Sequence, residues 1–184
     1  MKNDLSVYHS DMPYPEIKVS RPNLDYANLL MADYAGFISE LSAINQYYYH
    51  YIVLNDVDAE IANMLKNISY VEIRHFDTLA KVILLLGGDP ILFADANYWN
   101  GDYIYYGDNI LSRLEVDLQV ELDAIENYQK KIELIDDPYV KNILRRIILD
   151  EEVHVRLFKK AIEKVNLMQN PPITLTDIIK GTFP

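Results

Sequence analysis

The 184-residue chain has no cysteine. That absence excludes disulfides, thiolate metal sites, cysteine nucleophiles and cysteine-held iron–sulfur clusters, and leaves carboxylate and imidazole chemistry open. Basic residues are scarce as well: 17 Lys and Arg stand against 28 Asp and Glu, for a formal charge of −11. Binding to nucleic acid or an anionic membrane draws on clustered cations that release counterions, so neither is an expected partner and cations are. No apolar run is long enough to cross a bilayer, and the N-terminus lacks the basic, apolar and small-residue layout of a signal peptide. A cytoplasmic location is expected. What the chain does have is a hydrophobic half, enough to bury the core of one domain without a partner. It also has 15 tyrosines, with runs at Tyr47, Tyr48, Tyr49 and at Tyr103, Tyr105, Tyr106, residues that suit surfaces and interfaces where the hydroxyl stays wet.

Residues 1 to 23 carry Pro13, Pro15 and Pro22 among polar residues and read as an extended N-terminal arm. Beyond it the apolar residues follow the 3.6-residue period in four long stretches, giving an all-α bundle over 24 to 166 and a proline-containing C-terminal tail over 167 to 184. The first stretch runs from Leu24 to Leu54. The second starts at an Asp58 cap and stops at Gly87 and Gly88. The third follows an Asp108 or Asn109 cap and reaches Ile135; the fourth opens on Asp137-Pro138, a cap followed by proline at the first helical position, and reaches Val165. Short links force the first and second helices, and the third and fourth, to be antiparallel. The connection "GGDPILFADANYWNGDYIYYGD" has roughly 20 residues, which at about 3.3 Å each can return the chain along the length of a helix. It is expected to be a crossover.

Heptad registers expose an anomaly. The stripe of the fourth helix is Val140, Leu144, Ile147, Glu151, His154, Phe158, Ala161, Val165, with two polar residues where the core should be apolar. That of the second is Ile61, Leu65, Ile68, Glu72, His75, Leu79, Val82, Leu86, with the same Glu-x-x-His inside it. The first and third helices each place one glutamate in the stripe, Glu40 and Glu121. Four carboxylates and two imidazoles therefore converge on one level of the interior. Unpaired buried carboxylates cost several kcal/mol each and drive one another's pKa upward. No comparable set of core Lys or Arg is available, whereas two divalent cations balance four carboxylates and neutral histidines complete their coordination. His9 and His50 fall outside this set and read as ordinary surface or packing residues; Glu152 is one position off the stripe.

"SELSAINQYYYH", "DLQVELDAI" and "ILDEEVH" resemble the first, third and fourth metal-ligand segments of bacterioferritins, within the ferritin-like di-iron carboxylate superfamily. The resemblance covers residues 24 to 165. It implies a ferritin-like four-helix bundle, Glu40 and Glu121 as ligands of one metal each, Glu72 and Glu151 as bridging carboxylates, and His75 and His154 each capping one metal. Bacterioferritins place a haem-ligating methionine directly after the glutamate of the second helix; here Ile73 stands there, and no haem is expected. Rubrerythrins add a carboxylate three residues beyond the third-helix glutamate, where this chain has Ala124. Manganese catalases share the ligand set, and "YPEIKVSRPN" is similar to the start of short catalase-like spore-coat proteins. The resemblance also implies that Asp150 accepts the second ring N–H of His75. Tyr47 and Tyr128, seven residues past Glu40 and Glu121, fall within reach of the metals' surroundings.

A carboxylate-rich site with two imidazoles suits Fe(II) or Mn(II), and a metal pair can clamp one small oxygen species. The expected function is a dimetal oxidoreductase, di-iron first, acting on O2 or peroxide and/or Fe(II). Dimanganese peroxide disproportionation and a non-enzymatic storage or assembly role are the alternatives. A homodimer or higher homo-oligomer is expected from the resemblance alone.

Overall fold

A computed structural model describes residues 5 to 169. Five helices make the bundle: α1 (Leu24–Ala35), α2 (Glu40–Leu54), α3 (Ala59–Leu85), α4 (Ile110–Leu134) and α5 (Pro138–Gln169). α2 packs chiefly on α3 and α4 chiefly on α5, the two antiparallel pairs that the short links dictate. The helix starts are where the capping residues put them. Asp58 accepts from the backbone N–H groups of Glu60 and Ile61, Asn109 and Ser112 cap each other's backbone, and Asp137 accepts from Tyr139 ahead of α5. Gly87 ends α3 at φ +90°, a conformation that only glycine adopts without strain. Among the described residues, no helix is long and apolar enough to cross a membrane.

Three boundaries differ from expectation. The first stretch is not one helix from Leu24 to Leu54: it breaks between Ala35 and Glu40. The Gly36 carbonyl leaves the helical ladder and accepts instead from the hydroxyls of Ser39 and Ser42, while the Ser39 hydroxyl caps the Ser42 N–H. A β-carbon at Gly36 would lie 2.5 Å from the Ala32 carbonyl oxygen, so the break requires glycine. The break also makes Glu40 the first residue of α2, where the helix dipole favours a negative charge. The last helix runs on to Gln169, so residues 167 to 169 of the expected tail are helical; the rest of that tail lies outside the described residues. The crossover, lastly, is not irregular throughout. Phe93–Ala94 pairs with Asn97–Tyr98 in a small hairpin whose turn residues, Asp95 and Ala96, both have positive φ.

The apolar interior is split in two. One cluster, around Leu30, Leu79, Val82, Leu86, Leu144 and Ile147, fills the end of the bundle near α1. The other, around Leu54, Leu65, Ile68, Leu114, Phe158 and Val165, fills the opposite end. The six polar residues lie in the layer between and are buried.

Candidate metal centre

α2 supplies Glu40, α3 Glu72 and His75, α4 Glu121, and α5 Glu151 and His154, and none of the six is more than 4% exposed. They form two groups, Glu40, Glu72, His75, Glu151 and Glu72, Glu121, Glu151, His154, in each of which one donor atom per residue lies within 4.8 Å of the others. Glu72 and Glu151 belong to both. Glu72 presents Oε2 at 2.8 Å from His75 Nδ1 and Oε1 at 2.8 Å from His154 Nδ1. Glu151 does the same with Oε1 at 3.2 Å and Oε2 at 3.0 Å. Glu40 lies on the His75 side at 3.4 Å and Glu121 on the His154 side at 3.5 Å.

The far edge of each ring is held by an acceptor. His75 Nε2 donates to Asp150 Oδ2 at 3.1 Å, the expected partner, and His154 Nε2 donates to the Tyr8 carbonyl at 2.9 Å. With the proton fixed on Nε2, both Nδ1 atoms face the carboxylates in the orientation that metal-bound histidine needs. Asp150 also accepts from the Ser10 N–H at 2.7 Å, the Tyr14 hydroxyl at 2.5 Å and Arg146 Nη1 at 2.6 Å. Burial works to raise its pKa, yet hydrogen bonds from His75, Tyr14 and Arg146 hold the carboxyl below the usual range. The Tyr14 ring lies between two guanidinium groups, 4.0 Å from that of Arg74 and 4.1 Å from that of Arg146.

Two tyrosines singled out by register sit against the carboxylates. The Tyr128 hydroxyl donates a very short hydrogen bond to Glu40 Oε1. Tyr47 is fully buried, 3.5 Å through its hydroxyl from the Asp117 carbonyl, and burial followed by the charge of Glu121 pushes its pKa well up. Three features of the surroundings were not anticipated. Residues 5 to 20 close over α3 and α5, tied down by Arg146, which donates to the Met12 and Ser10 carbonyls, and by Asp137, which accepts from the Ser20 N–H. His50 is the packing residue of the two alternatives, not a surface one, and its partners are specific: it is fully buried, 2.9 Å from Asp117 Oδ2 through Nδ1 and 2.7 Å from the Tyr105 carbonyl through Nε2. Asp33 is buried with Oδ1 on Lys131 at 2.8 Å, and burial raises its pKa to about 6. Asp117 was discoverable, since it lies four residues before Glu121 on the same helical face. His9 lies partly buried beside the Ser10 carbonyl, away from the centre.

Electrostatics in the layer favour cations. Burial first, then neighbouring carboxylates, drives Glu40 and Glu121 well above the carboxylate range. Glu72 goes the other way: burial opposes its charge, but His154 and His75 overcome it and hold the carboxyl below normal. Both centre histidines are raised well above 6.5 by the surrounding carboxylates, against the effect of burial. Protons on the two imidazoles and on Glu40 and Glu121 thus compete with any cation for this layer. Two buried oxygens, Glu72 Oε1 and Glu121 Oε1, have no hydrogen-bond partner; the first is near His154 but outside hydrogen-bonding geometry. An unsatisfied buried acceptor costs about 1–3 kcal/mol, a cost that a bound cation removes. The donor set of carboxylate oxygen and imidazole nitrogen fits Fe(II) or Mn(II). Loading the centre with divalent cations is expected to release protons, and apparent affinity should rise with pH. Calorimetric titration in buffers of different ionisation enthalpy measures this directly.

The family model described as a ferritin-like domain matches residues 38–168, a span that contains all six residues. This chain belongs to the ferritin-like family. Among its relatives is the bacterioferritin of Streptomyces coelicolor, 29% identical over 151 residues, covering 79% of this chain and 86% of that protein. The Rhodobacter capsulatus bacterioferritin is 33% identical over 132 residues, covering 70% and 78%. The solved structure of the latter superposes with a TM-score of 0.67 at 29% identity, over 79% of this chain and 88% of that one. KatB, a manganese catalase from Anabaena, shares the fold with a TM-score of 0.79 at 23% identity, over 90% of this chain and 84% of that one. The ferritin-like match begins at Ile38, so the arm that supplies the Tyr8 carbonyl and Tyr14 lies outside it.

Proposed function

We propose that this ferritin-like chain is a dimetal carboxylate oxidoreductase, di-iron, that acts on O2 or peroxide with Fe(II) as an electron source, and that works in the cytoplasm as a homo-oligomer. The observation that carries the reading is the double presentation of Glu72 and Glu151, each with one oxygen toward either histidine. Glu40 and His75 would complete one position and Glu121 and His154 the other. The Rhodobacter capsulatus relative is described as having a dinuclear site, metal-free in that crystal, together with haem iron. In this chain the residue after Glu72 is Ile73, which has no donor atom for haem iron.

A redox-active cation pair, if held by Glu40, Glu72, His75, Glu121, Glu151 and His154, would supply the electrons for reducing a small oxygen species. The protein's part is to keep that site dry, charged and rigid. The two apolar clusters on either side exclude water, which strengthens every electrostatic interaction in the layer. Asp150 and the Tyr8 carbonyl hold the rings in one tautomer, and the Tyr128 hydroxyl holds Glu40.

Metal analysis of protein purified from native-like growth, with an oxygen electrode and size-exclusion chromatography, tests the reading. The expected result is two irons per chain, consumption of O2 or peroxide coupled to Fe(II) oxidation, and no O2 evolution from peroxide. Manganese with O2 evolution would assign peroxide disproportionation instead. A large shell holding many irons per chain would assign storage.

A further inference from the structure

Reducing hydrogen peroxide to two waters takes two protons along with two electrons, and a centre that holds cations is short of protons. On the dimetal reading Glu40, Glu72, Glu121 and Glu151 give up any proton to act as ligands, and the two ring protons stay with Asp150 and the Tyr8 carbonyl. The cavity over the carboxylates, about 10 Å³, has room for the centre of one water-sized molecule. Few of the other groups that line it can act as an acid. The Tyr47 and Tyr128 hydroxyls are pushed well up, by burial first and then by the charge of a neighbouring glutamate. The Ser39 hydroxyl is committed to the Gly36 carbonyl. Ile38, Ala43, Val120 and Ala124 carry no polar side-chain atom. Asp33 remains.

Asp33 stands in the last turn of α1 at the border between the cavity and solvent. Its side chain is 5% exposed, and that of its salt-bridge partner Lys131, on α4, is 13% exposed. The two carboxyl oxygens are employed differently. Oδ1 accepts from Lys131 Nζ at 2.8 Å, which ties α1 to α4. Oδ2 is buried with no hydrogen-bond partner, on a residue that lines the cavity. An ionised Oδ2 would be stranded there, whereas a protonated one can turn an O–H toward a molecule in the cavity. Burial raises this carboxyl to about 6, against Lys131 and with the charge of Asp95 in the crossover hairpin adding to the rise. Tyr128, on α4, feels the charge of Asp33 and is itself hydrogen-bonded to Glu40 on α2. An acid poised just below neutrality both gives up its proton and recovers it readily.

We propose that Asp33 is the proton donor of the centre: Oδ2 hands a proton to hydrogen peroxide in the cavity, and the carboxylate left behind, paired with Lys131, is reprotonated from bulk water at its exposed edge. This rests on the dimetal reading above and adds the acid that reading needs. For each peroxide the O–O bond breaks, two Fe(II) give one electron each and become Fe(III), and two proton deliveries complete two waters. Rotation of the carboxyl about its last side-chain bond exchanges the two oxygens, so one group serves both the water side and the cavity side.

Two measurements test this, one without metal and one with it. Difference infrared spectroscopy of metal-free protein carrying 13C-labelled aspartate is expected to show a carboxylic acid C=O band that titrates near pH 6. Asp33→Asn, which keeps an oxygen for Lys131, is expected to lack that band. In anaerobic Fe(II)-loaded protein the same variant is expected to slow peroxide-driven Fe(II) oxidation about 100-fold at unchanged iron content. Nitric oxide association, which needs no proton, is expected to keep its wild-type rate. Lys131→Met removes the opposing charge, so it is expected to move the band's midpoint and the pH dependence of oxidation upward together. That paired shift decides the matter if Asp33→Asn melts early. Wild-type oxidation by Asp33→Asn, an unaltered band in that variant, or an unmoved pH dependence in Lys131→Met would overturn the donor role. Equal slowing of nitric oxide association would assign Asp33 to structure and overturn it too. Wild-type protein that shows the band but holds no iron would overturn the dimetal reading, and the delivery with it.

Discussion

Glu121→Ala and His154→Ala are each expected to abolish stoichiometric binding of two metal ions, leaving one or none per chain. Both residues belong to the same donor group, and neither belongs to the other. Removing either leaves one position short of a ligand while Glu72 and Glu151 still turn one oxygen each toward it. The stability consequence is expected to differ with and without metal. Without metal, Glu121→Ala deletes a carboxylate that burial and its neighbours already force toward protonation, so the metal-free variant should lose little. With metal, it should gain much less than the wild type, because a cation stabilises only in proportion to its affinity for the folded state. Metal content by elemental analysis, with melting curves before and after a chelator, reads both effects. Two metals bound in either variant would remove these residues from the ligand set.

Asp150→Asn is expected to weaken metal binding by roughly 10- to 100-fold without touching a proposed ligand. Asp150 is an acceptor for four donors at once: His75, Ser10, Tyr14 and Arg146. An amide keeps one oxygen and turns an NH2 toward groups that are themselves donors, so at least one contact becomes donor against donor. The charge that balances the buried Arg146 guanidinium is lost as well. With the NH2 on the Oδ2 side, His75 loses the partner that fixes its tautomer and the arm loses its Tyr14 tie; on the Oδ1 side, the arm loses its Ser10 tie and Arg146 its partner. Metal affinity by competition with a chelator measures the first effect, and the rate of proteolytic cleavage before residue 20 measures the second. A ring effect alone would leave cleavage unchanged; simple unfolding would destroy both binding and the melting transition.

How much of this was visible in the sequence depends on the range of the interaction involved. The six centre residues were legible because a helix converts spacing into facing: Glu72 with His75 and Glu151 with His154 fall on apolar stripes that local periodicity reveals. Helix starts at Asp58, Asn109 and Asp137 were legible for the same reason, since caps act over three residues. The break at Gly36 was not. The heptad register of the stripe runs without a skip from Leu29 through Asp33, Gly36 and Glu40 to Ala43, and the competing hydroxyls of Ser39 and Ser42 leave no mark on it. His50 could not be placed between surface and core, because its partners, Asp117 and the Tyr105 carbonyl, lie on another helix and on the crossover. The arm escaped most completely. It serves the centre through a backbone carbonyl, that of Tyr8, and no side-chain pattern encodes a carbonyl.

Diffraction at the iron and manganese absorption edges, from crystals grown in native-loaded protein, tests the dimetal centre most directly. Two anomalous peaks are expected in the layer between the apolar clusters, both contacted by Glu72 and Glu151, one also by Glu40 and His75 and the other by Glu121 and His154. A single peak, peaks elsewhere, or none with the four carboxylates turned apart would contradict it.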